Sequence, residues 1–303
     1  MKLTEYYNIQ VPVDFVDVHT DGDTELFLDP FLIARASITD SLAHDADRQL
    51  RLFSSMLCAN VATDDVGRLA IARQMLGNLN EPRETRLGMS VGGFNGRGVS
   101  NYYSEQICRA LQTDLRPLVE IGIFQWIGAL PIYVEGVDKD RMSDITTGIV
   151  REQLIRFTER AVKKYPEFSA HPNRLKRHDM KVWRPATNEW VDRTSFLPYA
   201  DGHPILLVPK SWVGIRLEVR GRRFYRNMAL SYKQEEMFRA DPSRGKVPKE
   251  KLEKLYPNTY MLNLEVTQMA YEKGISLVEQ FLEAIGARLD AQQELVRRGQ
   301  RAG

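Results

Sequence analysis

The chain has 303 residues, 43% hydrophobic and 27% charged, with a formal net charge of +2. That is enough apolar material for a sizeable core in one large domain or two medium ones, with the charge content of an ordinary soluble protein. Two cysteines without metal-ligand spacing exclude a disulfide framework and a cysteine metal site, no run approaches the ~20 apolar residues of a membrane span, and "MKLTEYYNIQVPVDF" has no signal-peptide core. The expectation is a cytoplasmic protein that does not enter a membrane.

In chain order, "DFVDV" and "TELFLDP" read as short strands in an acidic setting. Asp29-Pro30 then reads as a helix start, with Asp as N-cap and Pro at the first helical position. Residues 40–62 form a strong helical pattern, with Leu42, Ala46, Leu50, Phe53 and Leu57 on one face. A second helix spans 66–79. "RETRLGMSV" reads as a strand, followed by a glycine-dense loop and a helix over about 102–111. Residues 115–130 are apolar, either a buried helix or a helix plus a turn. "LPIYV" reads as a strand handing over to a helix over 141–164.

The texture changes at "YPEFSAHPNR", which sets an expected boundary between lobes 1–168 and 169–303. Short aromatic and β-branched runs beyond it predict a strand-rich second lobe. A long helical pattern over 259–297 closes the chain and offers a face to a partner subunit or a second copy. The expected class is therefore α/β or α+β, with a helix-rich first lobe, a basic strand-rich second lobe and a long C-terminal helix.

Charge is unevenly distributed. Residues 1–65 hold twelve acids and four bases, whereas residues 171–233 hold thirteen bases and five acids. In the second segment Arg174, Lys176, Arg177, Lys181, Arg222 and Arg223 are interleaved with Trp183, Trp190 and Trp212. That mixture suits phosphate contact with base stacking, and it equally describes a solvated surface.

Two motifs carry the chemical expectations. In "YVEGVDKDRMSDITT" (133–147), helical spacing puts Asp140, Asp144, Thr147 and Arg151 on one stripe. Convergent carboxylates there, joined by Asp29 from the strand-to-helix turn, would hold Mg²⁺ or Mn²⁺. Arg141 would position a phosphate, and Lys210 would stabilise developing charge. The plainer reading makes Asp138 or Asp140 a helix cap beside a surface Arg141–Asp144 pair. In "GMSVGGFNGRGVSN" (88–101), Gly93, Gly96, Arg97 and Gly98 form either an anion cradle or a loop needing left-handed backbone. It lacks the G-K-[ST] of a phosphate-binding P-loop. The five histidines have no paired spacing and there is no GxSxG elbow, which disfavours zinc and serine hydrolases.

Taken together, "ELFLDPFLI", the glycine loop, "GVDKDRMSDITTGIVREQLIRFT" and "HPILLVPKSWV" resemble a bacterial protein family with no established activity. That family carries an "FxDP" strand end, a Gly/Ser-rich loop and a "DRxSDxTTN" helix. Asp29, Asp140, Arg141, Ser143, Asp144 and Thr147 match, whereas Gly148 stands where the family has Asn. The resemblance implies a place in mobile and phage-defence loci and a shared site on the "DRMSD" helix. The resulting expectation is a component of an anti-phage system, as a metal-dependent nuclease, a non-catalytic nucleic-acid-binding adaptor, or a nucleotide sensor.

Overall fold

Aspartates start the helices that open at Pro30, Ser41 and Val66. Asp29, Asp40 and Asp65 each accept a backbone N–H from the first turn they precede, at 2.8 Å from Phe31, Leu42 and Arg68. The computed structural model describes residues 1–79, 82–89, 101–170 and 172–301. The elements run α1 (Leu3–Tyr7), β1 (Phe27–Leu28), α2 (Pro30–Ala36), α3 (Ser41–Val61), α4 (Val66–Gly77), α5 (Asn101–Gln112), α6 (Arg116–Glu120), α7 (Leu130–Tyr133), α8 (Lys139–Ile149) and α9 (Arg151–Lys164). They continue with β2 (Leu175–Arg184), β3 (Glu189–Ala200), β4 (His203–Pro204), β5 (Val213–Gly214), α10 (Gly221–Phe224), α11 (Leu230–Ala240), α12 (Lys249–Leu255), α13 (Thr259–Tyr271) and α14 (Leu277–Arg301). The class is mixed α/β as expected, rich in helix, with small antiparallel sheets ordered β2-β3-β4 and β1-β5 and a long C-terminal helix.

The chain forms two compact units. The first comprises residues 1–116, 124–128 and 137–217, and the second 117–123, 129–136 and 218–303. The division therefore does not fall at 168. The β2–β3 hairpin belongs with the helices before it, because Trp183 packs edge-on against Phe53 of α3 at 4.9 Å and its carbonyl accepts from Gln49 at 2.8 Å. All five apolar residues read as the core face of α3 are buried. At the other end of the hairpin the Tyr7 hydroxyl lies 2.6 and 2.8 Å from the carbonyls of Arg174 and Tyr199 and accepts the Tyr199 N–H at 2.9 Å.

Several expected strands are not strands. In "DFVDV" only an isolated bridge, Phe15 to Pro209, is made. "RETRLGMSV" contains a short 3₁₀ turn, Arg83–Thr85, and one bridge from Leu87 to Thr24. "LPIYV" is the helix α7, closed by a turn at Gly136 with φ 82°. The long C-terminal pattern is two helices, since Gly274 takes φ 72° and ends α13 before α14 begins. Both thiols are held by burial, which pushes Cys58 up to about 12 and Cys108 to about 11, so neither is a thiolate at neutral pH.

In the second unit, α10 runs through one π turn (Tyr225–Ala229) into α11. Asn263 of α13 is fully buried and donates to the carbonyls of Ile132 (2.8 Å) and Gly221 (3.1 Å). Beside it Tyr133 and Thr267 share a hydrogen bond of 3.0 Å. Gly221 has no room for a side chain, because a Cβ there would meet the Pro131 carbonyl oxygen at 2.7 Å. Replacing Asn263 by Ala leaves two buried carbonyls without their donor, and the expected loss is about 2 kcal/mol. Urea denaturation should show a lower midpoint with an unchanged slope.

Candidate functional site

The site grows from a strand too short to satisfy itself. β1 has two residues, and they pair with β5 on one side, Phe27 with Gly214 and Leu28 with Val213. The buried Leu28 N–H needs a further acceptor and finds it in Ser143 Oγ of α8 at 3.0 Å. Asp29 follows Leu28, and Asp144 follows Ser143. The two acids are therefore carried on adjoining backbone, one at the end of β1 and one in the second turn of α8. Asp29 is 1% exposed, accepts the Phe31 N–H and donates its own N–H to the Trp212 carbonyl at 2.9 Å. Asp144 is half-buried.

A second group lies at the first turn of α8. Asp138 caps the helix by accepting the Arg141 N–H at 3.1 Å, as expected for this stretch. Asp140 turns instead toward Gly88. A Cβ on Gly88 would stand 3.2 Å from Asp23 Oδ2 and 3.5 Å from Asp140 Oδ1, and Gly88 takes φ 144°. The two carboxyls thus close over a glycine whose missing side chain makes the space. Burial raises the Asp140 pKa above the ordinary carboxylate range, with further pushes from the Asp138 and Asp23 charges against the pull of Lys139 and Arg141. Near them is Arg86, 1% exposed and held at φ 54°; burial lowers its pKa, opposed by the charges of Asp23, Asp201 and Asp21. A half-buried carboxyl beside a second carboxylate and a buried guanidinium can pass a proton or meet an anion.

The remaining stripe of α8 faces protein. Thr147 is buried, and α8 ends at Ile149, so Arg151 opens a new helix. Arg151 pairs with Glu84 at 3.2 Å in a largely buried ion pair and donates to the Lys181 carbonyl at 2.9 Å. Gly148 is explained by its neighbour, since a Cβ there would strike Leu79 Cδ2 at 2.6 Å. The Asn that the resembled family carries would require Leu79 to move.

Other expected site residues lie elsewhere. Lys210 is exposed and its ammonium donates to the Val13 carbonyl at 2.8 Å, so it does not join the acids. For the expected three-carboxylate centre of Asp29, Asp140 and Asp144, no group of three or more His, Cys, Asp or Glu side chains that could hold a metal ion is found among the described residues. Gly93, Gly96, Arg97 and Gly98 lie outside the described residues. Arg174 stacks its guanidinium 4.1 Å over Tyr6, Lys176 stands 5.1 Å over Tyr199, and Lys181 pairs with Asp192 at 3.0 Å. Arg177 and Arg222 are exposed, whereas Arg223 is tied to Glu218 at 2.9 Å in the second unit. Sequence reading passed over Arg86 entirely, because a left-handed arginine in an apparent strand has no periodic signature.

A helical α/β unit with a polar strand–helix junction is the class this geometry defines. Residues 7–218 match the family described as a domain of unknown function (DUF8370), and the chain belongs to that family. The match ends at residue 218, one residue beyond the last residue of the first compact unit, Leu217. No curated protein and no solved structure matches the chain. No helix among the described residues is long and apolar enough to cross a membrane.

Asp140 supplies a test by pH. Its folded-state pKa lies above the unfolded one, so the native state holds the extra proton between the two values. Stability then falls as pH rises through that interval and stays reduced above it. Asp140→Asn is expected to raise the melting temperature at pH 7, with the gain shrinking as pH drops below the ordinary carboxylate range. Thermal melts of both proteins across pH 3.5–8 (on the order of the window that the reference carboxylate value sets) check this, and a lower midpoint for the variant at pH 7 contradicts it.

Proposed function

We propose that this protein is a nucleic-acid-binding component of a bacterial anti-phage defence system, acting in the cytoplasm as a non-catalytic adaptor. The defence setting rests on the resemblance of its "FLDP", glycine-loop and "DRMSD" segments. The binding reading is carried by one observation, the outer face of the β2–β3 hairpin. Arg177 lies opposite Phe196 in the strand register, and Phe196 is 60% exposed. An exposed aromatic in mid-strand beside an exposed arginine, with exposed Lys181 on the same face of the strand, suits a base stacked on the ring and phosphates on the cations. On α14, Leu295 and Val296 are exposed and offer a face to a partner protein or a second copy.

Fluorescence anisotropy with labelled single-stranded and duplex DNA and RNA tests this reading. Phe196→Ala is expected to weaken single-strand binding by roughly 5- to 100-fold, the range of one base–aromatic stack. Arg177→Ala is expected to lower the salt dependence by about one phosphate contact. Binding that is absent in the parent protein, or identical in both variants, removes the proposal.

A metal-dependent nuclease using Mg²⁺ or Mn²⁺ is the second reading. It is favoured by the adjoining backbone of Asp29 and Asp144, since Mg²⁺ is commonly held by one or two carboxylates with water and substrate phosphates. Lys210 has no part in it. On this reading, Mg²⁺ or Mn²⁺ raises the melting midpoint over an EDTA control, and Asp144→Asn abolishes that rise. The adaptor reading expects no such rise.

A further inference from the structure

The first unit holds a cavity of about 270 Å³ lined by Arg83, Glu84, Arg86, His178, His203 and Pro204. Three separate segments build it. The 3₁₀ turn supplies Arg83 to Arg86, closed by the left-handed backbone of Arg86. β4 supplies His203, and its segment is joined to the first by the Leu206 N–H donated to the Glu84 carbonyl at 2.6 Å. β2 supplies His178, whose Nδ1 shares a hydrogen bond of 3.2 Å with the Tyr199 hydroxyl. Strand alternation directs His178 to the side of the hairpin opposite Arg177, so this cavity is distinct from the outer face described above.

The lining chemistry is one-sided. Its single acid, Glu84, is already neutralised by Arg151 at 3.2 Å. Arg86 is buried in the wall, with Asp21, Asp23 and Asp201 facing its charge, while Arg83 and His203 are exposed at the rim. Two arginines and two histidines line a space near the lower end of small-ligand pockets, about 300 Å³. The planar donor fork of arginine matches phosphate oxygens bidentately, and imidazole N–H groups serve the remaining acceptors.

We propose that this cavity binds a phosphate monoester, with Arg83 and His203 gripping the phosphate at the rim and Arg86 and His178 supporting it from within. A space of this size takes more than bare phosphate. The monoester is carried either by a free nucleoside monophosphate or by the 5′-phosphorylated end of a strand.

Isothermal titration of the full chain separates these cases. The probes are AMP, adenosine, and one short oligonucleotide in 5′-phosphorylated and 5′-hydroxyl forms. AMP or the phosphorylated oligonucleotide is expected to bind and its unphosphorylated counterpart to bind at least about tenfold more weakly. Tighter binding of the phosphorylated oligonucleotide than of AMP assigns the strand end, and the reverse assigns the free nucleotide. Arg83→Ala and His203→Ala, both at exposed positions, are each expected to weaken the phosphorylated probe about tenfold. Equal binding with and without the phosphate, no binding of either phosphorylated probe, or rim variants that bind like the parent overturns the proposal. AMP against adenosine reads this cavity and the 5′-hydroxyl strand reads the hairpin, so failure of the hairpin reading and failure of this one are told apart.

Discussion

One hydrogen bond sets the position of everything chemical in the first unit. Leu28 donates its buried N–H to Ser143 Oγ across 115 residues of sequence. A two-residue strand has no second neighbour to take that N–H, and the backbone carbonyls of a helix are already engaged within the helix. Only a side-chain oxygen presented by the helix can satisfy the group, which is what the serine of "DRMSD" does. Once that bond is made, Asp29 and Asp144 come with it. Asp140, one turn earlier, is carried to Asp23 and Gly88. The motif is thus a docking device first, and its acids inherit their places from it.

What could be read from the sequence was local. Asp29 and Asp138 cap the helices that follow them, and the five apolar positions of α3 are buried, because a cap and a helical face need only their own few residues. What was misread depended on distant partners. "DFVDV" and "RETRLGMSV" have strand composition but meet only single bridges, and "LPIYV" folds as a helical turn against its own unit. The glycine at 148 was visible as a departure from the resembled family, yet its cause, the Leu79 side chain, lies 69 residues away. Arg86 was invisible for the same reason, since its role comes from Asp23 and Asp201 rather than from its neighbours in sequence.

Charge gives the same lesson in another form. The acidic start and the basic later segment stand apart in the sequence. In the folded unit acids of the first segment are answered from residues between the two segments: Lys164 pairs with Asp14, Arg156 with Asp45 and Lys139 with Glu25. The basic hairpin is also compensated locally, by Lys181 with Asp192 and by Arg193 with Glu159. Most of these pairs are exposed and contribute little stability. Their effect is to cancel long-range field, so a polyanion would meet particular arginines rather than a uniformly positive lobe.

The hairpin therefore acts as a divider. Successive residues of β2 alternate between faces, so Arg177 is turned to the exposed side beside Phe196 while His178 is turned to Tyr199 and the arginine-lined cavity. A one-residue slip in register would exchange these two roles and bury the wrong charge. Tyr7 opposes such a slip, because its hydroxyl engages the carbonyls of Arg174 and Tyr199 together with the Tyr199 N–H at the end of the ladder. The docked α8, the cavity and the hairpin all lie within residues 7–218, the span that the family shares, while Arg222 and Arg223 belong to the other unit. The chemistry of the family is accordingly to be sought in how one short strand, one helix and one hairpin hold their registers against each other.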